Sequence, residues 1–140
     1  MKVLFVNLVY GTGSTGKIIA DIMNLLKKHG NDVKALYGTG VCSDNADAVK
    51  VSGDFGFYFH NAVSRFTDHA GLYSWAATRK MIREIRAFQP DLIHLHTLHG
   101  FYVNYEMLFR FLKEANIPVV WTLHDCWTFT GHCTHFSQVK

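Results

Sequence analysis

The sequence predicts an α/β fold built on a Rossmann-like, doubly wound parallel sheet, and two observations lead to this prediction. Short apolar runs recur along the chain, and most are followed by a longer segment whose apolar residues repeat with the period of a helix. Runs without polar alternation are typical of parallel strands that helices cover on both faces. Because such strands are joined by right-handed crossovers, the alternation predicts helices on both sides of one sheet.

Composition agrees with one ordered domain and indicates which partners and which cellular compartment to expect. The 140 residues are 49% hydrophobic and 18% charged, which is typical of a chain that buries a single core. The net charge of +3 is mild and comes without a nucleic-acid motif, so no nucleic-acid partner is expected. No apolar run is as long as a membrane span and no leader pattern opens the chain, so we expect a cytoplasmic protein. Cys42, Cys126 and Cys133 form no disulfide framework, which agrees with a reducing compartment.

The predicted strands and helices can be assigned in chain order. Strands are predicted at residues 3–9, 33–37, 91–96 and 119–123, with a short edge strand at residues 48–52. Helices are predicted at residues 18–29, 75–88 and 105–115, the last two with Ser74 and Asn104 as N-caps. A further helix is predicted at residues 61–68, preceded by the aromatic segment 55–60. We expect these rings in the core, and the alternative is a wall of an acceptor pocket or a surface that touches lipid.

A glycine-rich segment, Gly11 to Lys17, joins the first strand to the first helix. It matches G-x-G-x-x-G, but the next strand ends in Gly38-Thr39-Gly40 instead of the acidic residue that binds a ribose. It also matches a P-loop spacing, but Ile18 stands where a hydroxyl would hold magnesium. Two interpretations stay open. The segment either permits close packing or directs backbone N–H groups at a phosphate near Gly13.

Two groups of polar side chains follow later strands. Counted in chain order with the edge strand as the third, the fourth strand (residues 91–96) ends with His94 and His96, and His99 follows it. His124 and Asp125 follow the fifth strand, residues 119–123. In the usual strand order, 3-2-1-4-5, the first strand lies beside the fourth and the fifth comes next. We therefore expect the glycine segment and both polar groups to meet in one crevice at the carboxyl edge of the sheet. Asp125 either helps polar chemistry there or pins the loop.

The histidines and cysteines also raise the question of a metal. Zinc sites usually pair their ligands through short hairpin spacings, which Cys126 and Cys133 lack, so we predict no metal. His94 is predicted to be a core histidine bonded to a backbone carbonyl, and His96, at the strand end, is the better functional candidate. A metal bound by the tail residues stays an alternative, and these are His124, Cys126, His132, Cys133 and His135.

Basic residues form a stripe on the helix predicted at residues 75–88. Arg79, Arg83 and Arg86 recur at spacings of four and three, which places them on one helical face. Such a face is either simply solvated or a patch for anions or membrane headgroups.

Four stretches have an order and spacing that point to one enzyme family. They are Gly13-Ser14-Thr15-Gly16, Asp91-Leu92-Ile93-His94-Leu95-His96, Leu98-His99-Gly100-Phe101-Tyr102 and Trp121-Thr122-Leu123-His124-Asp125-Cys126-Trp127. Together they resemble family 4 glycosyltransferases, and Thr130-Gly131-His132-Cys133 is similar to bacterial members that build surface polysaccharides such as capsule or colanic acid.

The resemblance implies a GT-B architecture, in which an acceptor-side lobe faces a lobe that binds the nucleotide-sugar. It covers the first lobe only, so residues 1–140 are expected to be an N-terminal lobe, apparently truncated, without the nucleotide-sugar lobe and inactive alone. By resemblance, Gly13, Ser14, Thr15, Gly16, His96 and His99 bind donor phosphate or acceptor, and His124, with Asp125, serves catalysis. The family implies retention of anomeric configuration without metal or cofactor.

The resemblance also implies the partners. A hexosyltransferase of this kind takes a nucleotide-sugar donor and a glycan or lipid-linked acceptor, with peripheral contact to the inner membrane face. Two alternatives belong to other classes: a stand-alone nucleotide- or phosphate-binding domain, and a structural module stabilised by metal at the Cys and His residues. The sugar, the nucleotide and the linkage are not encoded in any motif of this chain.

Overall fold

A computed structural model describes residues 1–40, 45–53 and 72–130 of the chain. These residues form one five-stranded sheet in the order β3-β2-β1-β4-β5, with every pairing parallel. Both the Rossmann-like fold class and the strand order predicted from the sequence are confirmed. The elements are β1 (Lys2–Asn7), α1 (Gly13–Lys28), β2 (Asp32–Tyr37), β3 (Ala48–Lys50), α2 (Trp75–Phe88), β4 (Leu92–Leu95), α3 (Tyr105–Ala115), β5 (Val119–Trp121) and α4 (Trp127–Thr130).

The central strand β1 is buried on both faces, as its uninterrupted apolar run predicts. Residues 3–6 are at most 2% exposed, so the sheet is covered on each side. Val3 and Phe5 belong to an apolar cluster with Ile19 and Met23 of α1. Leu4 and Val6 belong to a second cluster that takes in residues of α2 and α3. The two layers hold the strand ends, and therefore the candidate site, in fixed positions.

Four predicted boundaries at the carboxyl edge were wrong by a few residues. Helix α1 begins at Gly13 and not at residue 18, because Gly13 takes a left-handed φ of 64° that turns the chain directly into the helix. Strand β1 ends at Asn7 and not at Val9, where the Asn7 side-chain amide donates to the Val9 carbonyl and ends the ladder. Strands β4 and β5 end at Leu95 and Trp121, before His96 and Thr122.

The two predicted helix caps had different outcomes. Asn104 caps α3 as predicted, with its side-chain oxygen accepting from the Met107 N–H at 2.9 Å. Ser74 precedes α2 but makes no side-chain cap. Its hydroxyl donates instead to the Phe101 carbonyl at 2.9 Å, which ties the start of α2 to the loop after β4.

Several predictions fall outside the described residues. They are the aromatic helix at residues 61–68 and the residues Cys42, His132, Cys133 and His135. Within the described ranges, no helix combines the length and the apolar character needed to cross a bilayer.

Candidate functional site

Asn7 joins three segments at the carboxyl edge of the sheet. The side chain is 2% exposed at the end of β1. Its amide nitrogen donates to the Val9 carbonyl at 2.8 Å and to the Thr15 hydroxyl at 3.2 Å. Its carbonyl oxygen accepts from the Thr97 N–H at 3.1 Å. One buried amide therefore holds the first turn of α1 beside the loop that follows β4.

Asn7 was not among the candidate residues predicted from the sequence. The signal available was one amide closing an otherwise apolar, buried strand, since a buried polar side chain normally has a specific partner.

The first turn of α1, Gly13 to Gly16, is buried at its last residue and exposed at its first two. Gly16 is buried, and a Cβ there would lie 3.2 Å from both the Gly11 nitrogen and Val9 Cγ2, so this glycine permits close packing. Gly13 and Ser14 are exposed, and Thr15 is half-buried. No side chain caps this end and no acidic residue lies in its first turn. No side chain of this helix end therefore offsets its free backbone N–H groups or the positive end of the helix dipole.

Three imidazole rings form a stack along the ends of β4 and β5. The ring centroids of His94 and His96 are 4.2 Å apart, and those of His96 and His124 are 5.1 Å apart. His96 Nδ1 and His124 Nε2 share a hydrogen bond of 2.8 Å. The predicted meeting of the β4 and β5 polar groups therefore occurs, between residues separated by most of a βαβ unit.

The prediction for His94 was wrong about its partner and its burial. His94 Nε2 bonds to the Thr122 hydroxyl at 2.8 Å and not to a backbone carbonyl. His94 is half-buried, whereas His96 is 2% exposed. His96 is more buried than His94 because two residues cover it. The His124 ring stacks on its ring, and Trp121 Nε1 donates to its carbonyl at 2.9 Å.

Burial keeps the inner histidines neutral. Desolvation, followed by the proximity of His94 and His124, lowers the pKa of His96 to about 4. Desolvation, followed by His124, also lowers the pKa of His94. At neutral pH His96 is therefore an uncharged imidazole with one N–H donor and one acceptor nitrogen.

His99 and Asp125 form a second pair across the same loops. His99 Nε2 donates to Asp125 Oδ2 at 2.7 Å, and Asp125 Oδ1 accepts from the Trp127 N–H at 3.0 Å. The His99 ring also packs on Trp127, with centroids 5.5 Å apart. These contacts give Asp125 the loop-pinning role that sequence analysis left open. A direct part in chemistry stays a prediction.

Two close contacts support the site from beneath. Tyr102 is fully buried, and its hydroxyl donates to the Thr97 carbonyl at 2.8 Å. Its ring lies against Gly38, where an added Cβ would be 2.2 Å from Tyr102 Cγ. The Gly38 N–H donates to the Asn7 and Leu8 carbonyls at 3.2 and 3.0 Å. In the sequence Gly38 stands in the Gly38-Thr39-Gly40 segment at the end of the second predicted strand, and no local pattern indicated this approach.

In the described ranges, no three His, Cys, Asp or Glu side chains are arranged to hold a metal ion. The rings of His94, His96 and His124 contact one another in series, through a tilted ring contact and a ring-nitrogen hydrogen bond, instead of converging on a point. His132, Cys133 and His135 of the suggested tail cluster lie beyond the described residues.

Comparison with known proteins gives two findings. The profile of Glycosyltransferase Family 4 matches residues 15–139, which is most of the chain. A protein of Escherichia coli (strain K12) named as a colanic acid biosynthesis glycosyl transferase, WcaC, is 36% identical over 53 residues. That alignment covers 34% of this chain and 13% of the relative's own length. The chain therefore corresponds to a small part of that relative.

Proposed function

Because the chain belongs to glycosyltransferase family 4, we propose that it is the acceptor-side lobe of a retaining hexosyltransferase that builds a cell-surface polysaccharide. The nucleotide-sugar is then bound by a second lobe beyond this chain, and the acceptor is a glycan or a lipid-linked glycan. The name of the E. coli relative favours polysaccharide synthesis as the setting. The observation that carries the proposal is the convergence of the α1 N-terminus and the His96–His124 pair through Asn7.

We assign roles to the crevice residues from their positions. The N–H groups of the first turn of α1, from Gly13 to Gly16 with Ser14 and Thr15, approach the donor phosphates or the acceptor, where an oxyanion gains most from a helix N-terminus. His124 contacts the transferring sugar. His96 and His99 were expected from the resemblance to bind donor phosphate or acceptor. Because they bond to His124 and Asp125, we assign them instead to holding these two side chains in place.

A front-face transfer fits this arrangement. Double displacement needs two carboxylates flanking the scissile bond, and in the described crevice the one carboxylate, Asp125, is engaged by His99 and Trp127. In front-face transfer the bond from the anomeric carbon to the donor phosphate breaks as the acceptor oxygen bonds to the same face. The leaving phosphate takes the acceptor proton, and the positive end of the helix dipole stabilises its negative charge.

The test is transfer from labelled nucleotide-sugars to a lipid-linked glycan by the intact two-lobe protein and by residues 1–140 alone. We expect the intact protein to turn over one donor and the 140-residue chain to be inactive, because transition-state stabilisation needs donor contacts from the second lobe. Turnover by the short chain contradicts the two-lobe proposal. Tight nucleotide binding by that chain, with no transfer by the intact protein, favours the stand-alone binding domain instead.

We further propose that the α2–α3 face touches an anionic membrane, where a lipid-linked acceptor is presented. Arg79, Arg83 and Arg86 are exposed on one face of α2, and Trp75 at its start is 49% exposed. With Arg110 of α3 the arginines line a groove of about 510 Å³. The groove floor includes Ile82, Met107 and Phe111, and Arg86 lies over the Phe111 ring at 5.4 Å. Guanidinium groups around an apolar floor, with an aromatic ring at one end, fit anionic headgroups.

Vesicle sedimentation checks this surface. Replacing Arg79 and Arg83 with glutamine is expected to weaken binding to phosphatidylglycerol vesicles by about 30-fold, since each basic residue near the surface is worth about 1 kcal/mol. The matched control replaces Lys17 and Lys28, two exposed cations of α1, and is expected to bind as tightly as wild type. Equal loss in both variants would mean a general charge effect and contradict a defined membrane face.

A further inference from the structure

Two buried polar atoms near the crevice have no hydrogen-bond partner among the residues that the structure describes. They are His96 Nε2 and the Thr128 hydroxyl oxygen of the short helix α4. Buried polar atoms in proteins are nearly always paired, with another protein group or with an internal water. Because both residues line one cavity, a single partner in it would satisfy both atoms.

His96 and Thr128 line one small cavity. Its lining also includes His99, His124 and Asp125. The space open to the centre of a water molecule is about 10 Å³, which is about what one water needs, and a buried water needs two to four polar partners. The cavity has the size and the polar lining for a single internal water between His96 and Thr128.

The direction of the hydrogen bonds follows from counting protons. Neutral His96 has one N–H, so either His96 donates to His124 through Nδ1, or His124 donates to His96. In the first case the Thr128 hydroxyl donates to the water and the water donates to His96 Nε2, which leaves one water proton to place. In the second case His96 Nε2–H donates to the water. Then either the Thr128 proton has no acceptor or the water must find two further acceptors.

The second case is the more costly because acceptors in the lining are already engaged. Asp125 accepts from His99 through Oδ2 and from the Trp127 N–H through Oδ1. The first case leaves one proton that needs a further acceptor and the second leaves two, so the first case costs less.

We propose that one internal water relays a hydrogen-bond chain from Thr128 through His96 to His124, so that His124 carries its proton on Nδ1. The role that this gives His124 in sugar transfer rests on the proposed function. His124 Nδ1 makes no hydrogen bond to any described residue, and the chain makes it a donor. His124 then donates to an oxygen of the sugar or the donor phosphate and does not accept the acceptor's proton. Thr128 and His96 are positioning residues.

Nitrogen-15 NMR of the histidines in the intact protein, at about pH 8 where imidazoles of ordinary pKa are neutral, tests the chain directly. We expect Nδ1 protonated and Nε2 unprotonated in both His96 and His124. Protonation of His124 on Nε2 would overturn the proposal. Because the tautomers are read without substrate, this result is independent of whether the protein transfers sugar.

Variants of α4 show whether Thr128 sets the tautomer. Thr128→Val keeps the shape but removes the hydroxyl, and we expect His96 to become a mixture of tautomers and kcat to fall by about fivefold, the loss of one net hydrogen bond. Thr128→Ser keeps the hydroxyl and is expected to restore the wild-type spectrum. Thr130→Val, an exposed position on the same helix, is the matched control. An unchanged His96 spectrum in folded Thr128→Val would overturn the relay.

Discussion

Replacing Gly38 with alanine is expected to lower the free energy of unfolding by about 3 kcal/mol, the upper part of the range for overpacking a filled core. The new Cβ would lie 2.2 Å from Cγ and 2.5 Å from Cβ of Tyr102. Tyr102 cannot retreat without loss, because it is fully buried and its hydroxyl donates to the Thr97 carbonyl. Gly38 is equally fixed by its N–H bonds to the Asn7 and Leu8 carbonyls.

Urea denaturation measures this effect as a lower midpoint at constant m value. Gly53→Ala is the matched control, since no heavy atom lies within 4 Å of a Cβ built there. We expect its stability to stay within about 0.5 kcal/mol of wild type, as for most surface changes. If Gly38→Ala is as stable as Gly53→Ala, Tyr102 has room to move, and it does not support the site rigidly.

The strands and their parallel sheet could be predicted because they depend on features that are local in the sequence, and the strand order then followed from the usual order of this fold class. An apolar run without alternation, such as residues 3–6, has to be buried on both faces, and helical segments between such runs supply the cover. Element ends could not be predicted equally well, because contacts between distant residues set them. Ser74 has the sequence of a cap, but its hydroxyl bonds to Phe101 across 27 positions.

Part of the site could be predicted because it follows from the order of the strands. Parallel strands bring their carboxyl ends to one edge, so the meeting of His96 with His124 followed from the strand order. Asn7 and Thr128 could not be found this way. Asn7 is important because it bonds to Thr15 and to Thr97, 90 positions away. Thr128 is important because it lines a cavity together with residues of the loops that follow β4 and β5. A one-dimensional pattern does not record such contacts.

His124→Ala in the intact protein is expected to reduce kcat by about 10²-fold, the usual cost of losing one positioned polar group that acts on the transition state. Its unfolding free energy should fall by about 1–2 kcal/mol, because His96 Nδ1 loses the partner that it bonds at 2.8 Å.

The comparison that isolates His124 is His94→Ala, which removes the neighbouring ring of the same stack. His94 bonds to Thr122 at 2.8 Å and has no bond to His124 or to the first turn of α1. We therefore expect a similar loss of stability with kcat close to wild type. Melting curves separate folding from function, and single-turnover rates separate the chemical step from product release. If His124→Ala is as fast as wild type and His94→Ala is folded but inactive, the sugar contacts His94 and not His124. The crevice would then lie over β4 instead of between β4 and the loop after β5.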